Sequence, residues 1–176
     1  MNMKAWHISG ALFTLISGVL LHFAFQWSQE NPLVGFFSAV NESTWEHLKL
    51  IAIPALIFSL IEYISYGKRI SSFIPSKAVS IVAGMMAIVI LFYGYTAIFG
   101  QNYLAADIAV FAIGVLIMYY VSFRLVNGDK LGSDISTALG WGIIIALIIC
   151  FALFTSAPPE SALFRDPISG GYGIIR

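Results

Sequence analysis

The sequence predicts an all-α protein: a polytopic membrane bundle of five transmembrane helices, amino terminus inside and carboxyl terminus outside. Three observations predict it, namely the bulk hydrophobicity, the spacing of the apolar segments and the placement of the basic residues. Of 176 residues, 59% are hydrophobic and 10% charged, against about 45–50% and about 25% in soluble domains. Such a chain lacks the polar groups to cover itself in water, so lipid is its natural solvent.

The segments set the count. A bilayer core about 30 Å thick takes roughly 20 apolar residues of helix. Helices are required because lipid offers no partner to backbone N–H and C=O groups. Five segments qualify: Trp6 to Trp27, Trp45 to Tyr66, Ala78 to Phe99, Leu104 to Phe123 and Ile135 to Phe154. The first is too long for a signal-peptide core and no small-x-small cleavage site follows it, so it is expected to be retained. The breaks have turn chemistry: Asn31-Pro32, Gly67-Lys68-Arg69, Gly100-Gln101-Asn102 and Asn127-Gly128-Asp129. Pro32 to Val40 is apolar but too short to span, a candidate re-entrant or interfacial segment. Residues 1–156 are therefore read as a five-helix domain and residues 157–176 as a tail.

The basic residues set the orientation. Alternating spans put Lys4, Lys68, Arg69, Lys77, Arg124 and Lys130 on one side and Lys49, Arg165 and Arg176 on the other. The positive-inside rule assigns the richer side to the cytoplasm. Trp27, Trp45, Tyr95 and Tyr103 then form an outer aromatic belt, in what is expected to be the plasma membrane. Two spans carry small residues at every fourth position: Gly10, Thr14 and Gly18, and Ala138, Gly142, Ala146 and Cys150. Such stripes let helices approach closely. Packing within the chain is the simpler expectation, and a homodimer the alternative.

Several functions are excluded. Zero formal net charge leaves no basic footprint for nucleic acid. One cysteine, Cys150, allows no disulfide framework. The chain has no His-Glu-x-x-His or Gly-x-Ser-x-Gly motif and no Gly-rich phosphate loop.

The ionisable residues collect at the outer level. His22 lies five residues before Trp27; Asn41, Glu42, Glu46 and His47 surround the start of the second span; Asp107 lies about one turn into the fourth; Asp166 lies in the tail. Ionisable residues at membrane depth are costly and mark functional candidates. Read as helix, Glu42 and Glu46 share a face, with Ser43 and His47 on the face beside it. That arrangement can hold a metal or relay a proton. Glu42, Glu46 and His47 are accordingly candidate catalytic residues. Asn41, His22, Asp107, Asp166 and Arg165 are candidate ligand-binding residues, and His22, His47 and Glu46 candidate ligands of a divalent metal. Haem between His22 and His47 has only the two histidines in its favour and is not expected. The blander readings are a Ser43-x-x-Glu46 capping box, a Lys49–Glu46 pair and an interfacial Trp45. Glu62 is expected to snorkel or pair with Lys68 or Arg69, Asp134 to cap the fifth helix, and Pro54 to bend the second. The tail is rich in apolar residues for a free end, so Leu163 to Tyr172 is expected to pack on the outer face as a lid. Asp166 or Arg165 would then face the polar cluster.

The stretch Val40-Asn41-Glu42-Ser43-Thr44-Trp45-Glu46-His47-Leu48-Lys49, followed by Pro54 and Glu62-Tyr63, resembles an uncharacterised family of small bacterial multipass membrane proteins. The tail, with Pro158-Pro159, Leu163-Phe164, Asp166-Pro167 and Tyr172-Gly173, is similar to that family's end. The resemblance implies a membrane fold and brings no reaction. Two functional classes stay open: an enzyme or metal site acting on a lipid or small amphiphile, and a non-enzymatic ligand binder, transport component or accessory subunit.

Overall fold

A computed structural model describes residues 2–128 and 130–174; Asp129 and Arg176 of the sequence reading lie outside the described residues. Among the described residues six helices follow in order: α1 Met3–Trp27, α2 Pro32–Gly35, α3 Thr44–Ser65, α4 Phe73–Phe99, α5 Leu104–Gly128 and α6 Asp134–Ser156. A single 3-10 turn, Gly67–Arg69, joins α3 to α4. Five of the helices, 22 to 27 residues long, are long and apolar enough to cross a membrane, as the hydropathy predicts. Among the described residues there is no strand, only an antiparallel bridge between Arg165 and Tyr172.

Local chemistry sets the ends. The side chains of Asn2, Asn31 and Ser43 accept from the backbone N–H groups of Ala5, Leu33 and Glu46 and start α1, α2 and α3. Ser133 rather than Asp134 caps α6; Asp134 is the first helical residue, where the helix dipole favours a negative charge. Gly100 closes α4 at φ 73°, which glycine adopts without strain. α4 begins at Phe73, earlier than the apolar run starting at Ala78, because the polar Ser76 and Lys77 are buried by neighbouring helices. Pro75 is tolerated there because first-turn N–H groups have no helical acceptor anyway. The apolar Pro32 to Val40 stretch makes the one turn of α2 and a bend, with Leu33 and Phe37 exposed.

α4 packs along α5, α1 lies against α3 and α5, and α6 leans chiefly on α4. The central core holds Ile51, Ala52, Phe58, Ile81, Val115 and Met118. Glycine permits the closest approaches. A Cβ on Gly10 would lie 2.5 Å from the Tyr119 ring, and one on Gly114 would lie 2.5 Å from Ile88. The Gly10, Thr14 and Gly18 stripe is thus buried within the chain. The Ala138, Gly142 and Ala146 stripe is exposed, and a Cβ on Gly142 would meet nothing within 4 Å.

At the end of the bundle where α3 stops, the structure corrects one sequence expectation. Glu62 does not reach Lys68 or Arg69, which are exposed; it is fully buried, with the Lys77 ammonium 2.5 Å away and the Tyr66 hydroxyl donating to it at 2.5 Å. The early start of α4 turns Lys77 inward and makes the pair. Beside it the buried His7 bonds the Met3 carbonyl and the Ser122 hydroxyl, and Thr14 bonds Tyr119. No sequence motif marks this cluster, because its members come from α1, α3, α4 and α5.

Candidate metal centre

At the opposite end α1 stops, α3 starts and the tail returns. Ser43 is the N-cap, in extended conformation, so the helix does not include Glu42. The expectation that Glu42 and Glu46 share a helical face fails for that reason, and the two carboxylates go different ways.

Glu46 points into the bundle. Its side chain is 2% exposed, its carboxylate lies 2.5 Å from the Lys49 ammonium, and it accepts from the Val40 backbone N–H at 3.0 Å and from the Thr155 hydroxyl at 3.4 Å. Only half of the capping box forms: Ser43 accepts from the Glu46 N–H, while the Ser43 N–H goes to the Asn41 side chain at 2.8 Å. With both oxygens engaged inside the protein, Glu46 does not join His22 and His47 as a ligand.

Glu42 is the carboxylate that lies beside the two histidines. Swung out on the loop, it has one oxygen 3.8 Å from His22 Nε2 and the other 3.4 Å from His47 Nε2. The two imidazole centroids are 5.1 Å apart. One nitrogen from each histidine and one Glu42 oxygen all lie within 4.8 Å of one another. His22 comes from the last turns of α1 and His47 from the first turn of α3, so the α1–α3 contact closes the group.

The tautomer of His47 follows from its neighbours. Its Nδ1 is 2.9 Å from the Ser43 carbonyl, which can only accept. Nδ1 therefore holds the proton, and in the neutral ring Nε2 is a bare lone pair facing a carboxylate. Two acceptors at that distance repel unless a cation, a proton or a metal ion, lies between them. The bond to Ser43 is also the outer partner that orients a metal-bound histidine. His47 first, and His22 after it, hold the Glu42 carboxyl below the usual carboxylate range, against its partial burial.

The remaining expected site residues stand around this group rather than in it. Asp107 accepts from Tyr95 and, at 3.0 Å, from Asn102, which spends both oxygens, although its charge is near enough to act on His47. Asn41 bridges two segments, accepting from Ser43 and donating to the Gly173 carbonyl at 2.8 Å. Asp166 is buried; burial works against its ionisation, but the Ser169 hydroxyl and the N–H groups of Ile168, Ser169 and Glu42 hold its carboxyl below the usual range. Of the two tail residues expected to face the cluster, Asp166 meets the Glu42 loop. Arg165 is exposed and donates to the Gly170 carbonyl within the tail. The tail docks through Phe164, which is buried against Trp45 and Phe154, and through the Leu163 carbonyl, which accepts from the Trp45 N–H at 2.9 Å.

The chemistry open to this end is now bounded. Two imidazoles and one carboxylate converge on a partly exposed point, which is a ligand set zinc accepts. Of the neighbouring carboxylates, Glu46 is ion-paired with Lys49, and Asp107 and Asp166 accept hydrogen bonds.

A model for a family of unknown function (DUF6512) matches residues 1–174, so the chain belongs to that family. No curated protein and no solved structure matches it.

Proposed function

We propose that this member of the DUF6512 family binds a divalent transition metal at the membrane surface, zinc by its ligand chemistry, between His22, Glu42 and His47. The convergence of their three ligand atoms within 4.8 Å of one another carries the proposal. The ligands fit: Nε2 of His47 is unprotonated when the ring is neutral, and the Glu42 side chain is 40% exposed, leaving a side from which an ion enters. Three protein ligands with one position open is the pattern of sites that exchange a ligand, not of closed structural sites. The open position takes a water or an anionic group presented at the membrane surface, such as the headgroup of an amphiphile. Glu46 is taken up by the Lys49 ion pair, so it does not stand free beside the ion.

The centre faces outward in this reading. With Lys49 and Lys77 committed to buried ion pairs, the exposed basic residues are Lys4, Lys68, Arg69, Arg124 and Lys130 at one end and Arg165 at the other, among the described residues. That contrast supports an amino terminus in the cytoplasm. A reporter fused after residue 174 should report from outside the membrane, and a cytoplasmic signal would reverse the assignment.

The metal itself is tested on protein purified in mild detergent, dialysed against zinc and analysed for metal content. One equivalent of zinc is expected in the native chain and a small fraction of one in His22→Ala, Glu42→Ala and His47→Ala. Equal zinc in all four, or none in the native chain, refutes the centre.

A further inference from the structure

Among the described residues there are two buried lysine–glutamate pairs, and their surroundings differ. Lys77 and Glu62 join two long helices. Lys49 and Glu46 lie one turn apart on one helix, and their remaining hydrogen bonds reach the stretch between α2 and α3 and Thr155 on α6. The Lys49 ammonium donates to the carbonyls of Gly35 at 2.7 Å and Ser38 at 3.0 Å, and to Thr155 on α6 at 2.7 Å. The Glu46 oxygen that meets Lys49 also takes the Val40 N–H at 3.0 Å. Three backbone groups of the stretch from α2 to α3 are thus tied to one buried pair, and Glu42 follows two residues after the last of them.

Stability alone does not explain such a pair. Desolvation of two charges offsets most of their attraction, and apolar residues of the same volume often do as well. A pair that also satisfies two carbonyls and an N–H of a partly buried segment running out of α2 supplies partners those groups otherwise lack. We infer that Glu46 and Lys49 are positioning residues for the metal centre, holding the Gly35–Val40 backbone so that Glu42 faces His22 and His47. The inference rests on the metal reading above. From the other side, the Gly173 carbonyl accepts from the side chain of Asn41, the residue before Glu42, so the loop that carries the ligand is held between the pair and the tail.

The test uses the second pair as its control. Glu46→Gln with Lys49→Met removes both charges together, so neither remains buried alone; Glu62→Gln with Lys77→Met does the same at the far end. Zinc affinity of each full-length protein is measured by competition with a chelator, well below its unfolding temperature. Loosening the support of a metal ligand weakens metal binding, about 10–100-fold where the support bonds the ligand directly. That loss is expected for the Glu46/Lys49 exchange, with affinity near native for the Glu62/Lys77 exchange. Thr155→Val is a milder variant that takes one acceptor from Lys49 without changing a charge; it should weaken zinc several-fold, with Thr155→Ser restoring native affinity. Native zinc affinity in the Glu46/Lys49 variant overturns the positioning role. So does equal loss in both double variants, which marks a general effect of destabilisation. If the first exchange does not fold, native affinity in Thr155→Val overturns it instead. Absence of zinc from the native chain fails the metal reading and is seen before any variant is compared.

Discussion

Lys77→Met is the sharpest probe of how this bundle tolerates charge in its interior. Lys77 is 2% exposed and Glu62 fully buried, and the ammonium sits 2.5 Å from the carboxylate. Methionine keeps the volume and flexibility of the lysine stem and removes only the charge. Glu62 then keeps the Tyr66 hydroxyl on one oxygen and loses its partner on the other. Breaking a buried pair from one side costs about 3–5 kcal/mol, because the charge left behind has no compensation. In a membrane the unfolded chain also finds polar partners, so a value near the low end, about 3 kcal/mol, is expected. Adding Glu62→Gln removes the orphaned charge and should recover most of that loss, since Tyr66 can still donate to the amide oxygen. Reversible unfolding in mixed micelles with increasing denaturing detergent measures both variants against the native chain. If Lys77→Met is within about 1 kcal/mol of native, or if the double variant is no better than the single, the pair is not the closed electrostatic unit described.

Phe164→Ala should empty the aromatic socket formed by Trp45 and Phe154, cost about 3 kcal/mol of docking, and speed hydrogen exchange across residues 163–173; slow exchange there would mean the tail is held by other contacts. Because histidines depress the Glu42 carboxyl, its contribution to stability is present above the ordinary carboxylate range and lost as pH falls through the depressed value. Glu42→Gln should therefore flatten the acid limb of the stability profile in metal-free protein, and an unchanged limb would contradict the histidine contacts. Gly10→Ala should destabilise clearly, since its new methyl meets Tyr119 and Phe58 rings within 3 Å, while Gly142→Ala, with nothing within 4 Å, should be neutral or stabilising; similar effects at both sites would refute the packing.

Sequence by itself determined the class of fold and brought His22, Glu42 and His47 toward one end of the bundle. Length and apolarity of a segment decide whether it spans, and they need no tertiary information; that is why the five long helices were legible. Turn and cap residues such as Asn31, Ser43 and Gly100 act within one turn of chain and were legible for the same reason. The shared depth of His22, Glu42 and His47 followed from counting residues along helices. Which carboxylate joins the histidines did not. That depended on where α3 starts: one residue of extended backbone at Ser43 sends Glu42 outward, while Glu46, inside the helix, turns toward Lys49 and Thr155. The buried cluster of His7, Glu62, Lys77 and Ser122 was hidden too, because side chains from four helices meet only once the helices pack. Periodicity reports which face of a helix is polar, but not which neighbour that face meets. In lipid the choice is made by close fit and by the need of each buried polar atom for a partner, and both exist only in the assembled bundle.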